Sequence, residues 1–149
     1  MRLSDYNLKM DNFHFQLPVQ IRYGDLDPQW HVNNAHTLTI IEHARFSYLM
    51  ELGLFDGKSF FDLGLIVADV HISYQAPLEL GQEVLTQVRV SRIGTKSLTF
   101  EYQIVDKTSG EVLTRAETVM VAYDYHTHQS VPVSKTWREK ISKYEGVEF

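Results

Sequence analysis

Apolar positions alternate along "FQLPVQIRY", where Phe15, Leu17, Val19, Ile21 and Tyr23 fall on one side, and this period of two predicts a half-buried strand. Pro18 cannot donate to a ladder, which puts the strand at a sheet edge or makes its first half irregular. From Ala35 to Leu52 the period changes. Leu38, Ile41, Ala44, Tyr48 and Leu52 recur at helical spacing, and Gly53 is placed to end the helix. Ile40, Phe46, Leu49 and Met50 widen the apolar stripe over much of the circumference, so this helix is expected to be largely buried.

After a loop rich in Gly and Asp the chain reads mostly as strand. In "LIVADVHISYQAPL" Ile66, Ala68, Val70 and Ile72 alternate with Val67, Asp69, His71 and Ser73. "EVLTQVRVSRI" sets Val84, Val88 and Val90 inward, and "SLTFEYQIV" does the same with Leu98, Phe100, Tyr102 and Ile104. A long strand follows through "EVLTRAETVMVAYDY", with turns at "LELGQ", "RIGTK" and "DKTSG", and a short amphipathic helix, "SKTWREKISKY", comes last. One apolar helix followed by consecutive antiparallel strands is an α+β pattern in which a sheet wraps around the helix. No linker, repeat or low-complexity segment divides the 149 residues, so a single domain over 1–149 is expected.

Composition narrows the chemistry. There is no cysteine, which excludes disulfides, thiolate metal ligands and a cysteine nucleophile. A formal net charge of −5 argues against nonspecific nucleic-acid binding. No apolar run has membrane-spanning length and the first residues lack a signal-peptide core, so the expected setting is cytoplasmic, without a membrane partner.

The polar residues concentrate in "RYGDLDPQWHVNNAHTLTIIEHARFSYL". Asp25 and Asp27 suit a turn ahead of a helix, and Asn33 and Asn34 suit its cap. As a whole the stretch resembles the signature of the hotdog-fold acyl-CoA thioesterases, the 4-hydroxybenzoyl-CoA thioesterase-like family: a strand ending in Tyr, Asp-x-Asp, His-Val-Asn-Asn, and a helix carrying Glu and Arg. "VADVHISYQAPLELGQEV" and "SRIGTKSLTFEYQIVD" are similar to the family's following strands, so the resemblance runs from about Phe15 to Tyr125. It implies a hotdog fold, an antiparallel sheet around one long central helix, and acyl-CoA hydrolysis.

The resemblance puts the catalytic carboxylate on Asp27, as nucleophile on the thioester carbonyl or as general base on water. It puts the oxyanion donor on the backbone N–H of Asn34, and Glu42 at a position that faces the acyl pocket in some members. His31 is either a hydrogen-bonded residue that steadies the Asp27 turn or a proton relay. Lys96 and Ser97 match a segment that contacts the nucleotide end of coenzyme A, with Arg92 in the neighbouring turn and Arg89 close by. The family implies homodimers or tetramers with the site at a subunit interface, and no metal or organic cofactor.

Two positions depart from the family. Trp30 stands where many relatives carry Gly, four residues before Asn34, and would narrow or cover the acyl pocket. Thr37 replaces a frequent aromatic. A metal reading of His31, His36, His43, His126 and His128 has little behind it, because His-Glu-x-x-His is absent. The other class of function open to this scaffold is non-catalytic binding of an acyl thioester or acyl-carrier protein.

Overall fold

The computed structural model describes residues 12–149. Strand β1 (Phe15–Gln20) leads through a 3-10 turn (Tyr23–Asp25) into helix α1 (Asn34–Glu51), and a short helix α2 (Phe60–Leu63) precedes strand β2 (Leu65–Tyr74). Strands β3 (Glu83–Ile93), β4 (Ser97–Asp106), β5 (Val112–Asp124) and β6 (Gln129–Ser130) follow, and helix α3 (Lys135–Glu145) comes last. Neighbours in the sheet are antiparallel and run β1-β3-β4-β5-β2, with β6 added to β5. This is the expected hotdog arrangement, and Pro18 lies in an edge strand.

The core forms where the inner face of the sheet meets α1. Val84, Val88, Leu98, Phe100, Tyr102 and Ile104 alternate inward from β3 and β4 and bury against Ile41, Ala44, Tyr48 and Leu49. Each such side chain contributes roughly 1.5–3 kcal/mol of transfer free energy. The helix is sunk on one side only. Glu42, His43 and Met50 stay exposed, because the sheet curls around a single flank of α1.

β2 departs from its expected alternation. Its register slips between Val67 and Asp69, so Ala68 is the extra residue of a β-bulge. Before the bulge Leu65 and Val67 pair with the buried Ala122 and Met120. After it Val70, Ile72 and Tyr74 pair with the buried Thr118, Ala116 and Thr114. The bulge thus reverses the phase of the first half, a change that no local period reveals, and brings Tyr74 to the inner side. Ile66, Val67, Val70 and Tyr74 are all substantially exposed, since β2 has β5 on one edge and no strand on the other among the described residues. Also among the described residues, no helix is long and apolar enough to cross a membrane.

α3 packs Ile141 into the core and brings Glu145, 5% exposed, against α1. The Glu145 carboxylate accepts from the Tyr48 hydroxyl at 2.6 Å and from Val90 N–H at 3.1 Å, one of the β3 positions that run on past the start of β1. Burial raises the Glu145 carboxyl above its ordinary value of 4.5 and outweighs the bonds from Tyr48 and Val90, which act the other way. A folded value above the unfolded one means that this group's stabilisation is full below the unfolded value and is lost as pH rises through the raised one. Glu145→Gln keeps an acceptor oxygen and cannot ionise. Urea titrations across pH 5 to 9 are expected to show the variant holding its stability at the alkaline end where the native protein loses some, and a parallel fall in both would remove Glu145 from this role.

Candidate active site

The segment from Arg22 to Thr37 is built from short backbone contacts. Asp25, 5% exposed, accepts from Arg22 N–H at 2.7 Å and from the Arg22 guanidinium at 3.4 Å, closing the 3-10 turn. Its Oδ1 also lies 2.8 Å from Nε2 of His36, in the first turn of α1, so Asp25 ties the loop to the helix. Burial pushes the Asp25 carboxyl upward, but the Arg22 bonds and the His36 contact prevail and hold it below its usual range. Asp25 is therefore a structural anion.

Asp27 begins the next turn. Trp30 N–H donates to Asp27 O at 2.9 Å around Pro28 and Gln29, Asp27 N–H donates to His31 O at 3.0 Å, and Leu26 bridges Val32. This is a tight hairpin whose last turn residue must be left-handed, and Trp30 has φ of 63°. Glycine enters that region freely. The geometry therefore accounts for the glycine expected at this position in relatives, and Trp30 adopts the same backbone at a steric cost of about 1 kcal/mol. Among the described residues the Asp27 carboxylate accepts one bond, at Oδ1 from Gln29 N–H at 2.9 Å.

Asn33 caps α1, its Oδ1 accepting from Ala35 N–H at 2.9 Å, while its carbonyl accepts from Thr37 N–H at 2.9 Å and from Thr37 Oγ1 at 3.3 Å. Asn34 N–H has no acceptor among the described residues. It is one of the unpaired donors that a helix N-terminus leaves, at the positive end of an 18-residue dipole.

Asp27, His31 and Asn34 line one cleft of about 270 Å³, together with Thr37, Tyr74 and Leu78. Val32 N–H donates to Leu78 O at 3.0 Å, and His31 bridges Glu79, which clips the Asp27 turn to the chain after β2. The Tyr74 hydroxyl donates to Asn34 O at 3.0 Å and closes the side of the cleft against the first turn of α1. Sequence reasoning misses Tyr74 and Leu78. They belong to no chemical motif, and the available signal was an aromatic ending a strand. His31 contacts the turn through its backbone carbonyl, not its ring.

Other expected site residues lie elsewhere. Trp30 shares the turn but is 65% exposed and is not part of the cleft wall. Glu42 borders a second cleft with Arg45 and Phe46. Arg92, Lys96 and Ser97 are at the opposite end of the sheet. Ser97 pairs with Val121 and Tyr74 with Thr114, so roughly 24 Å of β5 separates the two ends within one chain. Lys96 Nζ reaches Ser130 O and Oγ at 3.4 and 3.3 Å, and Arg89 is paired with Glu101. The described residues bring no three His, Cys, Asp or Glu side chains together in a metal-binding group.

Against known proteins, the family described as the thioesterase-like superfamily matches residues 21–141. The long-chain acyl-CoA thioesterase FadM of Escherichia coli is 25% identical over 128 residues, which is 86% of this chain and 97% of that one. A Thermus thermophilus thioesterase, solved with coenzyme A and zinc, is 31% identical with a TM-score of 0.80, covering 92% of this chain and 98% of that one. A 1,4-dihydroxy-2-naphthoyl-CoA thioesterase from Synechocystis has a TM-score of 0.77 at 21% identity, covering 85% and 94%, and shares the fold.

Proposed function

The chain belongs to the thioesterase-like superfamily and is a thioester hydrolase, and from this premise we propose that it hydrolyses acyl-CoA thioesters with Asp27 as the reactive carboxylate and Asn34 N–H as the oxyanion donor. One observation carries the reading: Asp27 and an unpartnered N–H at the start of α1 line the same cleft. Attack on a thioester carbonyl moves negative charge onto its oxygen, and a fixed N–H at a helix N-terminus stabilises that charge as it forms. Asp27 attacks the carbonyl carbon itself, giving a mixed anhydride that water then opens, or it takes a proton from the water that attacks. In both routes the C–S bond breaks, the thiol leaves protonated and the acyl group departs as the acid.

The same reading gives a role to the open edge of β2. Two copies joined antiparallel along β2 bring the Ser97 end of one beside the Tyr74 end of the other. Arg92, Lys96 and Ser97 of the second copy then lie on the side from which the phosphates of coenzyme A approach this Asp27. The protein acts as a homodimer.

Thiol release from a panel of short, long and aromatic acyl-CoAs tests the reaction. Release from one class is expected, with the long-chain members favoured if the likeness to FadM extends to the substrate. No release from any member would return the protein to the acyl-thioester or carrier-protein binders.

A further inference from the structure

Alongside the Asp27 cleft, α1 borders a second cleft of about 340 Å³ whose walls are mostly apolar, among them Phe46, Phe60, Ile66, Val67 and Tyr125. Arg45, 2% exposed, belongs to the same wall. Among the described residues its guanidinium makes one hydrogen bond, from Nη1 to the Tyr102 hydroxyl at 3.2 Å, while Nε has no acceptor. The Glu42 carboxylate, on the same wall and half exposed, is 3.9 Å from Nη2, beyond hydrogen-bond reach. Tyr102 is engaged a second time by Thr118 at 2.8 Å. A loosely paired cation and anion thus lie side by side at an apolar pocket, and the buried Nε of the cation has no acceptor among the described residues, an arrangement that favours a polar arrival.

The chemistry of that arrival follows from the pair. A wholly apolar group leaves Arg45 as it is. A carboxylate suits Arg45 but meets the like charge of Glu42 beside it. A hydroxyl satisfies both, accepting from the guanidinium and donating to the carboxylate. The two clefts have no lining residue in common, but each is bordered by both α1 and β2: Thr37 and Tyr74 border one, Glu42 and Ile66 the other, so they follow one another along the seam between these elements. From Asn34 to Glu42 the helix rises about 12 Å.

We propose that the Arg45–Glu42 cleft is the acyl-tail subsite and that it selects acyl chains carrying a hydroxyl roughly 12 Å from the thioester carbonyl. The inference rests on the Asp27–Asn34 reading for where that carbonyl lies. A hydroxyl at the far end of a medium-length chain reaches the pair. One on the β carbon, or on a benzoyl ring, falls short.

The test compares decanoyl-CoA, β-hydroxydecanoyl-CoA and ω-hydroxydecanoyl-CoA on the native protein. Expected is a kcat/KM for the ω-hydroxy compound about tenfold above that for the plain chain, with no gain from the β-hydroxyl. The ratio, taken within each variant, is expected to collapse toward one in Arg45→Met and in Glu42→Leu, the latter at an exposed position where folding is safe. Calorimetric binding of the same ligands to Asp27→Asn separates the two readings. Tighter ω-hydroxy binding without any thiol release by the native protein keeps the subsite and removes the reaction. Equal hydrolysis of all three by the native protein keeps the reaction and overturns the subsite. So does an Arg45→Met protein that loses its dimer while the ratio persists, which would give the guanidinium to the subunit interface.

Discussion

Asp27→Asn is expected to lower kcat for acyl-CoA hydrolysis by about 100- to 10,000-fold while the thermal midpoint stays in place. The two halves of that expectation have separate causes. The hydrogen bond that Asp27 makes is accepted at Oδ1 from Gln29 N–H, and an asparagine oxygen accepts it equally well. The backbone bonds of Asp27 to Trp30 and His31 do not involve the side chain at all. The turn therefore survives. What the amide cannot do is attack a carbonyl or take a proton from water at neutral pH. A folded variant with native turnover would remove Asp27 from the chemistry and leave it a turn former like Asp25. A single turnover in heavy-oxygen water then shows which carbon water attacks. Label entering the Asp27 side chain marks an anhydride that water opens at the Asp27 carbonyl, and label confined to the product acid marks attack of water on the acyl carbon.

A second large effect is expected far from the acid. Val70, in the middle of β2 and 42% exposed, follows the bulge and pairs with Thr118 on β5. Val70→Asp places a charge where two β2 strands would meet, and a desolvated, unpaired carboxylate at such a seam is strongly unfavourable. Light scattering is expected to give the mass of one chain, and kcat/KM is expected to fall at least tenfold because the residues of the second copy proposed to face the phosphates are lost. Circular dichroism should change little, since Val70 contributes little to the core within one chain. A monomer with full activity would mean that one chain holds the whole site and that Arg92, Lys96 and Ser97 serve something else.

Much of this architecture was legible from local pattern. The spacing predicted a helix from Ala35 to Leu52, and α1 runs from Asn34 to Glu51 with Asn33 capping it. Pro18 pointed to an edge, and the alternations of β3 and β4 match the buried residues. Such features depend on a period, a cap or a missing N–H, each contained in a few consecutive residues. β2 was harder. Its bulge at Ala68 depends on the register against β5, and so does the inward turn of Tyr74. The distribution of the site is non-local for the same reason. Asp27, His31 and Asn34 are neighbours in sequence and line one cleft, whereas Glu42 is carried away by the rise of α1 and the distance to Lys96 and Ser97 follows from strand order.

The two borders of the sheet are finished in opposite ways, and this limits how far the protein can assemble. β1 is six residues long and carries a proline, and past its start Glu145 fills the ladder position at Val90. β2 offers ten residues without proline. Strand addition at β1 is disfavoured by the donor that Pro18 lacks, and beyond the start of β1 Glu145 already occupies the Val90 N–H of β3, so the union proposed is open border to open border. That union is self-complementary: it consumes both open borders in a single two-fold contact and turns the two proline-bearing borders outward. In the proposed dimer growth by strand pairing would stop there, giving a closed particle of fixed size in place of a ribbon that lengthens with concentration.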